Sequence, residues 1–157
     1  MHSTSRFQTI QDCLAAGNLK QALALLNSGV PHRFSGVYVL RDGVFHNIAL
    51  IDKLGELVPA HLKAVPLEHS FCQFVIRDHG VDIPDSSADA RLDGHPYQGV
   101  MVSYTGVPIT DAQREIVGTV CHFDTVKHQL SADEYQLLWN IAPSIDVQLL
   151  AEMETRH

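Results

Sequence analysis

No stretch of this 157-residue chain approaches the roughly 20 consecutive apolar residues that a bilayer-spanning helix needs. A transmembrane-helix architecture is therefore not expected. The opening residues, Met1-His2-Ser3-Thr4-Ser5-Arg6-Phe7-Gln8, lack the apolar core of a secretory signal, which points to a cytoplasmic location. Basic residues are few: 11 Lys and Arg stand against 18 Asp and Glu, for a net charge of −7, and they form no block. Phosphate contacts need clustered cations, so neither nucleic acid nor an anionic membrane surface is an expected partner. An uncharged or cationic ligand stays open. Cysteine is scarce too. Cys13, Cys72 and Cys121 are odd in number and far apart, with no Cys-x-x-Cys pair. That excludes a zinc ribbon or a disulfide ladder and favours reduced, mostly buried thiols. There is no internal repeat and no low-complexity tract.

What is present is ordinary for one globular domain: 45% hydrophobic and 18% charged residues, in a chain long enough to bury a core. Arg6 to Ser28 has helical apolar spacing, broken at Gly17-Asn18. Ser35–Leu40 and Val44–Ile51 flank Arg41-Asp42-Gly43, and Asp-Gly between apolar runs signals a hairpin. Leu67–Asp78 reads as a helix with Phe71 and Val75 at i and i+4, closed by Gly80. Val81–Ile83 reads as a short strand, and Pro84–Gly99 as a long loop with room for one helical turn. Val100–Ile109 and Glu115–Phe123 read as two more antiparallel strands, joined through Asp111–Arg114. Pro108 falls near a strand end, where a missing N–H costs least, and Gly106 and Gly118 suggest a bulge or close approach. Ser131-Ala-Asp-Glu134 is a capping box ahead of the stripe Leu138, Ile141, Ala142, Ile145 and Leu149, which Pro143 should kink or split.

Four motifs then occur in a fixed order. They are Ser70-Phe71-Cys72; Pro84-Asp85…Asp89-Ala90-Arg91-Leu92; Tyr104-Thr105-Gly106-Val107-Pro108-Ile109; and Gly118-Thr119-Val120-Cys121-His122-Phe123-Asp124. This order resembles the GAF domain, a small-molecule sensor fold related to PAS, over roughly Gly36 to Leu150. The resemblance implies an α+β fold: a GAF/PAS-like central antiparallel sheet of five or six strands, with the N- and C-terminal helices packed together. It divides the chain into an N-terminal helical segment, 1–30, and a GAF domain, 31–157. It also implies a free-standing sensing or regulatory module that acts through a signalling protein partner or self-association.

The family includes an enzymatic branch, the free methionine sulfoxide reductases, whose cysteines cluster around a loop near the pocket. Here the loop from Val81 to Gly99 holds no cysteine. Phytochromes attach a bilin through a Cys that precedes a His, and Cys121-His122 matches only by letters, in the wrong strand. The Asn-Lys-Phe-Asp-Glu set of the cyclic-nucleotide binders has no counterpart. A thiol redox enzyme and a ligand-free interaction module remain the alternatives, and no cofactor is specified.

In an extended strand Val117, Thr119, Cys121 and Phe123 share one face, so Cys121 and His122 point apart and form no nucleophile–base pair. A Cys72–Cys121 redox pair is conceivable beside the plainer reading of two core hydrophobes. Ten histidines are many, yet those near motifs (His69, His79, His95, His122, His128) show no helical His-x-x-x-His pair. The expected ligand-binding residues are Phe71, Val75, Tyr97, Tyr104, Thr119 and Cys121, with Arg91 and His95 at the mouth. The plainer reading of the loop has Asp85 and Asp89 capping its own backbone and Arg91 pairing with one of them. Finally, apolar stripes on the terminal helices (Ile10, Leu14, Leu23 and Leu26; Leu138, Ile145 and Leu149) predict a homodimer.

Overall fold

The computed structural model describes residues 2–55, 64–66, 71–95, 98–99 and 101–147. The helical N-terminus breaks where Gly17-Asn18 intervenes. Helix α1 (His2–Ala15) ends as Gly17 takes a positive φ, and Asn18 starts α2 (Leu19–Asn27) by accepting from the Gln21 N–H. The next run gives the Asp-Gly hairpin of β1 (Phe34–Arg41) and β2 (Val44–Asp52). Asp42 and Gly43 both have positive φ, as a two-residue turn of the primed type requires. Strand β3 (Ala64–Pro66) adds to the outer edge of β2.

Helix α3 is shorter than its sequence pattern: it begins at Cys72 and ends at Asp78, while Leu67 to Ser70 lie outside the described residues. It stops at Asp78 as expected, but the cap residue in the left-handed region is His79, and Gly80 donates back to the Val75 carbonyl. After β4 (Val81–Ile83), two 3-10 turns follow, Ser86–Ala88 and Ala90–Leu92, where one turn is expected from the sequence. Asp85 and Asp89 cap them by accepting from the Ser87 and Arg91 N–H groups.

Strands β5 (Ser103–Thr110) and β6 (Ile116–Asp124) form the second hairpin. Pro108 lies beyond the last β4 pairing, so its missing N–H costs no ladder bond to that strand. Helix α4 (Ala132–Ile141) stops before Pro143 and continues only as a 3-10 turn, Ala142–Ser144. Ser131 caps it by accepting from the Glu134 N–H, but only half of the capping box forms. The Glu134 carboxylate instead accepts from Arg6 Nη1 at 2.8 and 3.0 Å.

All six strands form one antiparallel sheet in the order β3-β2-β1-β6-β5-β4. The two hairpins meet at the central pair β1–β6. Helices α1, α2 and α4 cover one face, burying Ile10, Leu23, Leu26, Leu138 and Ile141 against Val37, Val107 and Val120. At roughly 25 cal/mol per Å² of apolar area, this layer is a main source of stability. The terminal helices thus pack together, as expected. The stripe residues Ile10, Leu23, Leu26, Leu138 and Ile145 turn inward, however, Leu14 is half-buried, and Leu149 lies outside the described residues. The reason is geometric: three helices on one sheet face bury nearly all of their own apolar surface. Among the described residues no helix is long and apolar enough to cross a membrane.

Candidate functional site

The opposite face is built differently. Strand alternation sends Phe34, Gly36 and Tyr38 of β1, Tyr104 and Gly106 of β5, and Thr119, Cys121 and Phe123 of β6 to this side. In register, Gly36, Cys121 and Gly106 make one row across three strands. This row of small residues is flanked by Phe34-Phe123-Tyr104 on one side and Tyr38-Thr119-Pro108 on the other. The result is a low sheet floor whose overlying space neighbouring side chains fill.

Side chains lean over that floor. A Cβ placed on Gly36 would lie 3.0 Å from the Tyr38 ring. One on Gly106 would lie 2.8 Å from Tyr104 Oη and 2.9 Å from Val75 of α3. The close approach expected at Gly106 is therefore real, and its partners are Tyr104 and Val75. Helix α3 brings Cys72 over the same row. Its Sγ lies 3.0 Å from Tyr104 Oη and 3.3 Å from Thr119 Oγ1, while Cys121 Sγ lies 3.6 Å from the Gly36 carbonyl oxygen, to which it donates. Phe71 closes edge-on against Tyr104 at 5.8 Å between ring centres.

The charge states follow from burial. Tyr104 is held well above its ordinary range, first by burial and then by the neighbouring thiols. Tyr38 is raised for the same leading reason. Burial likewise pushes the Cys121 thiol up, with Cys72 adding to the effect. At neutral pH these are protonated, neutral groups able to donate and accept hydrogen bonds. The Cys121 thiolate that nucleophilic or redox chemistry needs is disfavoured.

Of the residues expected to line a site, Phe71, Val75, Tyr104, Thr119 and Cys121 come together here. His95 joins at the edge, 4.8 Å from Phe71 and 5.8 Å from Phe74 between ring centres. Arg91 goes elsewhere: its Nη2 lies 2.6 Å from Asp89 Oδ2 and its Nε 3.0 Å from Asp89 Oδ1. That local pair raises the Arg91 pKa and lowers that of Asp89. Tyr97 lies outside the described residues. The Tyr38 contribution has a sequence signal, because it shares the face of Gly36 in the predicted hairpin.

A second polar cluster escaped the sequence reading. It lies on the helix-covered side, at one end of the β1–β6 pair. His32, just ahead of β1, is fully buried and neither ring nitrogen has a hydrogen-bond partner. Its ring centre is 6.0 Å from that of His122 and 5.0 Å from that of His128. His122 Nδ1 lies 2.5 Å from Ser35 Oγ, and Ser35 Oγ also accepts from Asn27 Nδ2 at 2.7 Å. His128 Nε2 lies 2.8 Å from Asp124 Oδ2. Burial, then His128, lowers the His32 pKa to about 4; burial, then His32, lowers that of His122 to about 3. Burial works against the Asp124 charge, but hydrogen bonds from the Arg33 N–H, His128 and the Thr125 N–H outweigh it and leave the pKa lowered. The three histidines are separated in sequence by 90 and 6 positions (32 to 122, 122 to 128), and no local spacing announces such a group.

No protein-family description and no curated protein sequence matches the chain. Solved structures do. The GAF domain of an Acinetobacter phosphoenolpyruvate-protein phosphotransferase is similar with a TM-score of 0.75 at 13% identity, over 99% of this chain and 97% of that one. A free methionine-R-sulfoxide reductase from Neisseria meningitidis, in complex with its substrate, gives 0.72 at 15% identity, over 98% and 91%. The phycoerythrobilin-bound GAF domain of a cyanobacterial phytochrome gives 0.70 at 14%, over 99% and 98%. The chain therefore has the GAF fold. A domain of a phosphotransferase, a reductase and a phycoerythrobilin-bound domain share that fold, so the fold by itself names no ligand.

Proposed function

We propose that this chain is a small-molecule sensing or regulatory module whose ligand site lies between the sheet and the segment from α3 to Gly99. The observation that supports it is the asymmetry of the sheet. Among the described residues one face carries a floor of small residues, Gly36-Cys121-Gly106, beneath polar tips from Tyr38, Cys72, Tyr104 and Thr119. Few placed polar groups among aromatic walls is the usual make-up of a ligand site. The tips are neutral, and the nearest expected cation, Arg91, is committed to Asp89. An uncharged, partly aromatic or aliphatic ligand suits such a site better than an anion.

Output passes to a protein partner or to a second copy of the chain. With the aliphatic stripes spent internally, a homodimer would draw on the half-buried Phe7, Cys13 and Leu14 of α1. The test is native mass spectrometry of the purified chain, followed by thermal-shift screening against neutral metabolites. A bound mass or a shift that Tyr104→Phe weakens supports the reading. No bound mass and no shift from any compound would count against it.

The second reading, thiol redox catalysis of the methionine sulfoxide reductase kind, draws on the nearness of Cys72 and Cys121. Their burial opposes it, since reaction needs an accessible thiolate. Dithiol-dependent reduction of free methionine sulfoxide, lost in Cys72→Ser, would favour this reading over the first.

A further inference from the structure

We propose that helix α4 reads the position of α3 through one contact, Trp139 against Gly80, and passes it to α1 through Glu134 and Arg6. The proposal rests on the ligand reading above and names how an occupant of that site would reach the helix-covered face.

The space over the floor of small residues is already filled. A Cβ on Gly106 would meet Val75 and Tyr104, and Cys72 lies against Tyr104 and Thr119. A well-packed interior has no slack, so an occupant has to displace α3 or the side chains it carries.

The corner at the end of α3 follows that floor from both sides. Its residues His79 and Gly80 have φ of 55° and 111°. On one side the Gly80 N–H donates to the Val75 carbonyl at 3.0 Å, and Val75 is the residue that packs on Gly106. On the other side Val81 pairs with Gly106 in the sheet. A load on Gly106 therefore reaches Gly80 along two short routes.

Helix α4 closes on the same corner. Strand β4 is an edge of the sheet, and there Tyr135 and Trp139 touch Gly80. A Cβ on Gly80 would lie 2.8 Å from Trp139 Cζ2 and 3.0 Å from Tyr135 Oη, so only glycine lets the indole rest on the backbone. The two rings support each other edge-on, 6.4 Å between centres, and pack on the aliphatic layer. One residue before Tyr135, Glu134 accepts from Arg6 Nη1 at 2.8 and 3.0 Å, and Arg6 Nη2 donates to the Leu25 carbonyl at 2.9 Å. Gly29 fits beneath that pair, where a Cβ would overlap both side chains. The route from floor to α1 is thus a series of close contacts, each made on a glycine or held by an ion pair. Packed contacts of this kind pass small shifts on rather than absorbing them.

The test needs no ligand. Gly106→Ala sets a methyl group beneath Val75 and imitates an occupant of the floor. Trp139 is the single tryptophan of the chain, so fluorescence of the full chain reads its surroundings. The expected result is a shifted emission maximum and altered acrylamide quenching, with amide exchange in α1 faster by roughly 5-fold or more. Trp139→Leu keeps an apolar side chain but withdraws it from Gly80. In that background Gly106→Ala is expected to change α1 exchange by less than about 2-fold. Phe45→Leu truncates the same face on β2, three strands away from β4, and should leave emission and α1 exchange as they were. Cys72→Met, which thickens α3 over the same floor, takes the place of Gly106→Ala if that variant does not fold, with the same readings expected. Unchanged emission overturns the relay, as does an α1 response that survives Trp139→Leu or is matched by Phe45→Leu. A ligand-induced thermal shift without these responses rejects the relay alone. The responses without any ligand reject the ligand reading alone.

Discussion

The two faces of the sheet have been filled by different chemistry. Under the three helices the core is aliphatic apart from the His32–His122 cluster at one end: Ile10, Leu23, Leu26, Val37, Val107, Val120, Leu138 and Ile141. Under α3 it is richer in aromatic rings and sulfur, with Phe34, Tyr38, Phe45, Phe71, Cys72, Phe74, Tyr104, Cys121 and Phe123 beside the aliphatic Val75, Val81, Ile83 and Leu92. Aliphatic side chains have well-defined rotamers and no polar atoms, which suits a face whose task is to hold the domain together. Tyrosine and cysteine bring polar tips that must find partners inside, and here they find each other. The difference separates a mainly aliphatic face from the one whose polar tips carry the proposed ligand site.

Acid should break that contrast most strongly, because the two buried histidines with the largest shifts both lie on the helix-covered face. His32 and His122 have pKa values lowered to about 4 and about 3 from about 6.5. The unfolded chain takes up their protons first, so stability is complete above about pH 6.5 and is lost as pH falls toward about 3. With about 1.4 kcal/mol for each pH unit of displacement, the two sites together account for several kcal/mol. Urea unfolding across this range should show the fall, and His32→Phe should flatten it. A profile that stays flat from pH 7 to pH 4 would refute the assignment, the interval spanning about three units.

Truncation comes next. Leu138→Ala leaves a cavity in the aliphatic layer and should cost about 2–5 kcal/mol, read by urea midpoint, without touching the Tyr104–Cys72 contact. On the other face Gly106→Val is expected to cost about 1–3 kcal/mol, because the new side chain meets Tyr104 and Val75. It should also abolish any ligand-induced thermal shift, which Leu138→Ala leaves intact. Thr119→Val removes the hydroxyl beside Cys72 and should cost on the order of 1 kcal/mol. The smallest effect belongs to Arg91→Ala. Its side chain is 41% exposed, and an exposed ion pair is worth about 0–1 kcal/mol. A large loss of ligand response in that variant would return Arg91 to the site.

Much of this frame was legible in the chain. The Asp42-Gly43 turn, the Gly17-Asn18 break, the Ser131 cap and the alternation along Val117–Phe123 are local, and local physics decides them. The shared face of Thr119 and Cys121 followed from strand alternation, whereas Phe71 and Val75 came from helical spacing in a segment that the family resemblance sets near the sheet. What stayed hidden was long-range competition. Arg6 takes the Glu134 carboxylate from the cap, three helices consume the stripes that suggested a dimer interface, and His32 meets His122 only because β1 pairs with β6. Arg91 was ambiguous between ligand and Asp89 until the 3-10 turns set their distance.

The central β1–β6 pairing also shapes how the chain folds. Its partners are far apart in sequence, Val37 with Val120 and Gly36 with Cys121, whereas each hairpin closes within a short loop. Loop-closure entropy makes the hairpins the cheap early events and their union the late one. As a hypothesis, Val120→Ala should slow refolding more than a truncation confined to the β1–β2 turn, and equal effects on refolding would refute it. Both polar clusters straddle that seam: Gly36 with Cys121 on one face, Ser35 with His122 on the other. Neither exists in a half-assembled chain. A ligand held over Gly36 and Cys121 would therefore act as a clasp, recognising the domain only after its two halves have met and slowing their separation afterwards.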